Sequence, residues 1–372
     1  MNKLKLATVV GTRPELIKMS EMIKTFDRVF DHVLIHTGQN YDYELNKVFF
    51  DDLDLKEPDY YLNVVGDTLG ETVGSIISKS YSLFSEIKPD AVVVLGDTNS
   101  CLCVIAAKRL KIPIFHLEAG NRCFDENLPE EVNRRIVDTT SDVNLCYSEH
   151  ARRNLLAMAA DPARTFVVGS PMREVLARNA EKIATSTVLS DLSLQRKKYI
   201  LLSAHREENI DNDKKFHSMV EAINCMADYF EMPVLYSLHP RSRKRIANEG
   251  IEFHPLVSMH KPFGFTDYIS LQKNAYCVVS DSGTLAEESA ILSFPAVSLR
   301  TSTERPEVVD KGTFILGCPD AHSLIQAIKT ETELAISASP VPDYADCDTS
   351  AKVARIIQGY TPFVNATVWR KQ

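Results

Sequence analysis

The sequence predicts an α/β protein made of two doubly wound, Rossmann-like domains. Three observations carry the prediction. Short runs rich in Val, Ile and Leu alternate with helical patterns along nearly the whole chain. Those runs lack the apolar–polar alternation of half-exposed strands, as do parallel strands buried on both faces. A chain of 372 residues that is 44% hydrophobic also suffices for two domains, each with its own core.

Leu4–Val10 reads as the first strand. Glu15–Phe26 follows as a helix, with Leu16, Met19, Ile23 and Phe26 at helical spacing. Val33–His36 is a strand, and Glu71–Ile87 a helix with Val73, Ile76, Ile77, Leu83 and Phe84 on one side. Ala91–Leu95 is a strand, Asn99–Leu110 a helix and Ile112–Leu117 a strand. Val143–Tyr147 and Phe166–Val168 complete the first set. A polar, helical connection, Met172–Arg196, leads to strands Tyr199–Ser203, Pro233–Leu238, Tyr276–Ser280 and Ala296–Leu299. Helical patterns at Ala321–Ala335 and Ser350–Gln358 close the chain. The expected domains are 1–170 and 171–352.

Composition narrows the function. With 42 basic against 50 acidic side chains, the formal charge is −8, which suits a soluble enzyme better than a nucleic-acid platform. An anionic ligand must then be held by local arginines and backbone amides. No run approaches the roughly 20 apolar residues of a membrane span. The apolar start ends in Gly11-Thr12-Arg13-Pro14-Glu15 and reads as a strand, not a signal peptide. Eight cysteines without disulfide or metal spacing read as the reduced thiols of a cytoplasmic protein, and no metal site is expected.

The chemistry-bearing residues fall at one kind of place. Gly11–Glu15, Gly96-Asp97-Thr98, Glu118, His205, His239, Asp281-Ser282-Gly283-Thr284 and Arg300-Thr301-Ser302 all follow a strand's carboxyl end, where open α/β sheets bind ligands. Two such rims facing each other would form a cleft. Arg13 at a helix N-terminus opposes the helix dipole unless an anion arrives there. It also reads as a solvated turn residue. Ser282-Gly283-Thr284 suits a diphosphate, and equally an ordinary N-cap. His205-Arg206 and His239 recur at successive strand ends, as groups serving a departing phosphate would. Asp97, Glu118 and Glu130 are the acid/base candidates. Asp97 also reads as a helix cap. Glu130 also reads as the i,i+4 partner of Arg134. Glu118 directly follows a buried strand and needs partners there.

The ordered set closely resembles the non-hydrolysing UDP-N-acetylglucosamine 2-epimerase family. It comprises Gly11–Glu15, Gly96–Thr98, Glu118-Ala119-Gly120-x-Arg122, Pro129-Glu130-Glu131-x-Asn133-Arg134, His205-Arg206-x-Glu208-Asn209, His239-Pro240, Asp281–Gly283 with Glu287-Glu288, and Thr303–Glu307. The resemblance implies a glycosyltransferase-B-like fold, with the C-terminal helix (about 353–372) packed back on the first domain, and a homodimer. It implies inversion of C2 of a UDP-linked 2-acetamido sugar without a cofactor, through loss of the C2 proton, elimination of UDP to a glycal and re-addition. Asp97, Glu118 and Glu130 would share proton transfer, and His205 would assist the departing diphosphate. Arg13, Lys18, Arg134, Arg206, His239, Ser282, Gly283, Thr284, Glu288 and Arg305 would bind the UDP-sugar, Glu288 holding the ribose.

Departures from the family pattern point to a branch. Asn121-Arg122-Cys123-Phe124-Asp125 stands where Leu-Arg-Thr-Gly is commoner, Ser203-Ala204-His205-Arg206-Glu207 replaces Thr-Gly-His-Arg-Arg, and Thr284 replaces a second Gly. These resemble the enzymes that make UDP-N-acetyl-L-fucosamine from UDP-2-acetamido-2,6-dideoxy-L-talose for capsules and O-antigens. Phe124, Phe263 and Phe265 are candidates for an apolar patch against the 6-methyl group. Asn40-Tyr41-Asp42-Tyr43 departs from the His-Arg pattern that serves allosteric substrate binding in some members. The alternatives are a UDP-N-acetylglucosamine/UDP-N-acetylmannosamine epimerase, a glycosyltransferase on the same fold, and a sugar-nucleotide sensor.

Overall fold

In the computed structural model the described residues are 3–38, 50, 52–204, 212–238, 240–317, 320–334 and 341–371. The chain divides into two compact units, Met1–Arg178 with Pro342–Gln372, and Asn179–Val341.

The first unit holds seven parallel strands: β1 (Lys5–Val10), β2 (Asp31–His36), β3 (Tyr60–Tyr61), β4 (Ala91–Leu95), β5 (Ile114–Leu117), β6 (Val143–Cys146) and β7 (Thr165–Val167). Their order across the sheet is β3-β2-β1-β4-β5-β6-β7. Successive residues of β1 bury on opposite faces. Leu6 and Val10 join a core with Leu16, Met19, Ile23 and Phe26, while Ala7 and Val9 join one with Ile35, Ile76, Val92 and Val104. Two covered faces explain the unbroken apolar runs. The helix Thr349–Thr367 also belongs here, contributing Val353, Ile357 and Val364 to the first of these cores. The helix Pro171–Arg178 sits with it, and its Glu174 accepts from the backbone N–H and hydroxyl of Ser350 at 2.8 and 2.7 Å.

The second unit holds β8 (Ile200–Ser203), β9 (Val234–Ser237), β10 (Val257–His260), β11 (Cys277–Ser280), β12 (Ala296–Ser298) and β13 (Ile315–Leu316). All are parallel, in the order β10-β9-β8-β11-β12-β13. Phe216, Met219, Ile223, Tyr236, Val279, Val297 and Ile328 form its core.

Each sheet reverses its strand order once, between β1 and β4 and between β8 and β11. These are the topological switch points at which doubly wound sheets open a crevice.

Several elements differ from expectation. The expected helix Asn99–Leu110 opens as a 3-10 turn, Asn99–Cys103, before the α-helix Val104–Arg109. Its first turn is tightened by the Cys101 N–H bond to the Thr98 carbonyl. The stretch Met172–Arg196 is not one helix but three short ones, Pro171–Arg178, Ala180–Ala184 and Val188–Asp191. Thr and Ser at 185–187 offer the backbone local alternatives there. The last helix runs on to Thr367 through Pro362, because Thr361 and Val364 remain buried. β3, β10 and β13 were not expected.

Candidate functional site

In the first unit the switch point is stapled by Glu15. The carboxylate is 2% exposed. One oxygen accepts from the Gly11 and Thr12 N–H groups and the Thr12 hydroxyl (3.0, 2.7 and 2.8 Å), and the other from the Thr98 hydroxyl at 3.0 Å. The loops after β1 and β4 are thereby tied together. Burial pushes the Glu15 carboxyl up to about 7, against the lowering effect of those hydrogen bonds. Arg13 is the first residue of the helix beginning there.

Glu118 directly follows β5 with φ of +65°, a left-handed conformation that costs a side-chain-bearing residue roughly 1–2 kcal/mol. Such strain recurs where function over-determines geometry. The carboxylate is nearly buried, and Lys18, itself buried, donates to it at 2.7 Å. Stripping one partner from such a buried pair costs about 3–5 kcal/mol. Lys18 also lies 5.7 Å from the centroid of the Tyr147 ring. After Glu118 the chain turns at Gly120, φ +82°, where a Cβ would come within 2.2 Å of the Ala151 carbonyl oxygen, so only glycine fits.

Asp97 does not cap the following helix. Its side chain meets the Arg134 guanidinium, whose other arm donates to Glu131 at 2.7 Å. The Asp97 carbonyl accepts from Asn133 at 3.0 Å. Arg134 is thus taken by Glu131 and Asp97 rather than by Glu130, its expected i,i+4 partner. Glu130 itself is half-buried on the first turn of the helix Pro129–Thr140.

In the second unit the residues Ser282-Gly283-Thr284 link β11 to the helix Leu285–Leu292. The Ser282 N–H donates to the Ser280 hydroxyl at 3.0 Å, and the Ser282 and Thr284 hydroxyls lie 3.1 Å apart. Thr284 stands at the N-cap without a side-chain capping bond. Glu288 is buried, and Gln272 donates to it at 2.6 Å. Arg305 is buried against Glu287 through two bonds of 3.1 and 2.7 Å, and Arg300 meets Glu304 in the same manner. The Tyr268 hydroxyl bonds with Ser203 and Ser280, the last residues of β8 and β11, and its pKa is raised by burial and by Glu288. His205, Arg206, His239 and Asn40–Tyr43 lie outside the described residues. Of the aromatic candidates, Phe124 is 73% exposed with φ of +57°, Phe263 faces the His260 ring and Phe265 is buried.

Glu15, His116, Asp138, Tyr268 and Gln272 were not singled out from sequence. For Asp138 a signal existed: Glu131, Arg134 and Asp138 are spaced i, i+3, i+7 and form a charged stripe on the buried face of one helix. Among the described residues no His, Cys, Asp and Glu cluster could hold a metal, the cysteines are free thiols, and no helix is long and apolar enough to cross a membrane.

The molecule has relatives. A family model described as UDP-N-acetylglucosamine 2-epimerase matches residues 24–358. UDP-N-acetylglucosamine 2-epimerase of Methanocaldococcus jannaschii is 36% identical over 335 residues, covering 88% of this chain and 92% of the relative. UDP-2,3-diacetamido-2,3-dideoxy-D-glucuronate 2-epimerase of Pseudomonas aeruginosa is 32% identical, with coverages of 88% and 92%. The solved structure of UDP-N-acetylglucosamine 2-epimerase from Rickettsia bellii is 44% identical and superposes over the whole of both chains with a TM-score of 0.93. The M. jannaschii enzyme in complex with UDP-GlcNAc and UDP has a TM-score of 0.90 at 32% identity, covering 95% of this chain and 99% of that one. With nine-tenths of its length matched, this chain belongs to the UDP-N-acetylglucosamine 2-epimerase family.

Proposed function

We propose that this nucleotide-sugar 2-epimerase converts UDP-2-acetamido-2,6-dideoxy-L-talose to UDP-N-acetyl-L-fucosamine. The observation that carries the epimerase chemistry is the strained Glu118 carboxylate, paired with Lys18 beside the switch point from which Asp97 emerges. A C2 proton is weakly acidic, so a fixed carboxylate must remove it and a second acid must serve the opposite face. Glu118, Asp97 and Glu130 share these transfers. Glu130, half-buried on a helix's first turn, is the carboxylate that can move toward a substrate. Arg134 acts by holding Asp97, since its own surface is sealed. His205 assists the departing diphosphate. Arg13 and the amides near Ser282 and Gly283 stabilise its charge. Lys18, Arg206, His239, Thr284 and Arg305 complete the binding set, and Glu288 holds the ribose. No cofactor takes part. The enzyme acts as a cytoplasmic homodimer in capsule or O-antigen synthesis.

The choice of sugar rests on residues 121–125. Asn121 stands where the family more often has leucine. Its side-chain amide is buried with no partner for either its oxygen or its nitrogen among the described residues. A buried unpaired amide costs about 1–3 kcal/mol, which a ligand's own donor and acceptor would recover. The named relatives act on differing sugars, so membership alone does not fix the substrate. Their most frequent name keeps UDP-N-acetylglucosamine as the second reading.

The test is incubation with each UDP-sugar in deuterated water, with C2 deuteration followed by NMR. The talose substrate should exchange at least about tenfold faster, as about 1.4 kcal/mol from one hydrogen bond in the transition state provides. Faster exchange of UDP-N-acetylglucosamine would assign the second reading. Exchange of neither would remove both.

A further inference from the structure

We propose that Asp138 and His116 form a buried positioning pair that holds the two strand-end turns carrying Asp97 and Glu118. The inference rests on the acid/base reading of those carboxylates. Neither residue touches a place where substrate reacts: His116 is fully buried and Asp138 is 4% exposed. They act through what they hold.

Asp138, on the helix Pro129–Thr140, reaches three segments at once. Its carboxylate accepts from the Gly120 N–H at 3.1 Å, in the turn that directly follows Glu118. It meets the Arg122 guanidinium at 2.7 Å, and that arginine also donates to the Asn121 carbonyl at 2.6 Å. It stands 2.9 Å from Nδ1 of His116, a close contact without hydrogen-bond geometry. The other ring nitrogen, Nε2, lies 2.7 Å from the Gly96 carbonyl oxygen. A carbonyl only accepts, so Nε2 carries a proton and donates it. Gly96 immediately precedes Asp97, and its own N–H donates to the Leu117 carbonyl at 2.9 Å. Gly96 is therefore fixed from β5 through both its N–H and its carbonyl. Gly120, two residues after Glu118, is fixed by the carboxylate that packs against the same histidine.

A core histidine with a merely local role would satisfy neighbouring backbone. This one joins the β4 turn to the β5 turn, which makes the spacing of two carboxylates a property of one side-chain pair. Proton transfer is sensitive to such spacing: a displacement of about 1 Å costs on the order of 100-fold in rate. His116→Leu removes the donor while keeping an apolar filler. His116→Gln keeps an N–H able to reach the Gly96 carbonyl.

The experiment compares wild type, His116→Leu, His116→Gln and Asp138→Asn. The readings are C2 deuterium exchange, kcat and KM with whichever UDP-sugar wild type exchanges faster, and UDP affinity by calorimetry. His116→Leu should lose on the order of 100-fold in kcat, with KM and UDP affinity within about threefold of wild type, and His116→Gln should regain most of the loss. If His116→Leu does not fold, Asp138→Asn takes its place. Its amide keeps one acceptor oxygen but loses the second acceptor and the charge that faces Arg122, and the same kcat loss at unchanged UDP affinity is required. A folded His116→Leu with kcat within about twofold of wild type overturns the pair as a positioning device. So does a His116→Gln as impaired as His116→Leu. Absence of exchange in wild type itself would instead remove the acid/base reading.

Discussion

The two sheets reverse at one point each, and the two points are tied by different chemistry. Below the first, the Glu15 carboxylate joins the loops after β1 and β4. Below the second, the Tyr268 hydroxyl joins the ends of β8 and β11. One staple is ionisable near neutrality and the other stays neutral. The rims above differ in the same sense. The first presents carboxylates that meet cations, Lys18 on Glu118 and Arg134 on Asp97. The second presents hydroxyls at Ser282 and Thr284, and its buried arginines already meet carboxylates, Arg305 with Glu287 and Arg300 with Glu304. One topology therefore carries a carboxylate-rich rim and a hydroxyl-rich rim, and side-chain content at the strand ends sets the difference.

The largest expected effect breaks the first rim alone. Glu118→Gln keeps the shape and a hydrogen-bonding group for Lys18 but removes the base. C2 exchange should fall by about 10²–10⁴, the usual share of a positioned acid or base. UDP affinity, which the proposal places mainly on groups of the second unit, should hold. Exchange is followed by NMR in deuterated water and affinity by calorimetry. Unchanged exchange would remove Glu118 from the catalytic set. A parallel loss of UDP affinity would end the division of labour between the rims.

Much of this comparison was legible in the sequence, for a physical reason. Central strands such as Ala91–Leu95 are buried on both faces and so read as unbroken apolar runs. Three of the four edge strands escaped: Tyr60–Tyr61 and Ile315–Leu316 have two residues each, and Val257–His260 is half-exposed, so none of the three carries a burial pattern. The carboxylates were visible because each follows a strand. Their partners were not. That Arg134 turns to Asp97 and Glu131, or that Asp138 reaches His116, depends on which loops the sheet brings together, and local spacing does not encode it. Glu15 sat in a quoted motif without a role, because its tie to Thr98 crosses 83 residues.

The staples themselves make a second contrast, through pH. Burial raises the Glu15 carboxyl from its ordinary 4.5 to about 7. Between those values the folded chain keeps a proton that the unfolded chain has released. Stability from this group therefore falls as pH rises through the window, by up to about 3 kcal/mol at 1.36 kcal/mol per unit. Glu15→Gln cannot ionise and should lack this component. Tyr268→Phe should keep it, since the phenol titrates above its ordinary 10 and stays neutral throughout. Urea midpoints of the three proteins at pH 5 and 7.5 measure the difference. Identical slopes for wild type and Glu15→Gln would show that the four N–H and O–H donors around Glu15 outweigh its burial.

The smallest expected effect tests the second rim. In Ser282→Ala the hydroxyl that lies against Thr284 is gone, while the backbone N–H groups of the turn remain. A hydrogen bond of this kind contributes about 0.5–1.5 kcal/mol, so UDP should bind roughly three- to tenfold more weakly. kcat should stay near wild type, because the turn holds charge that is present before and after the chemistry, which is uniform binding. An unchanged affinity would assign the diphosphate to the backbone amides alone. A fall in kcat at constant affinity would mean that Ser282 meets charge developing only as the diphosphate departs. The second rim would then belong to the chemistry as much as the first does.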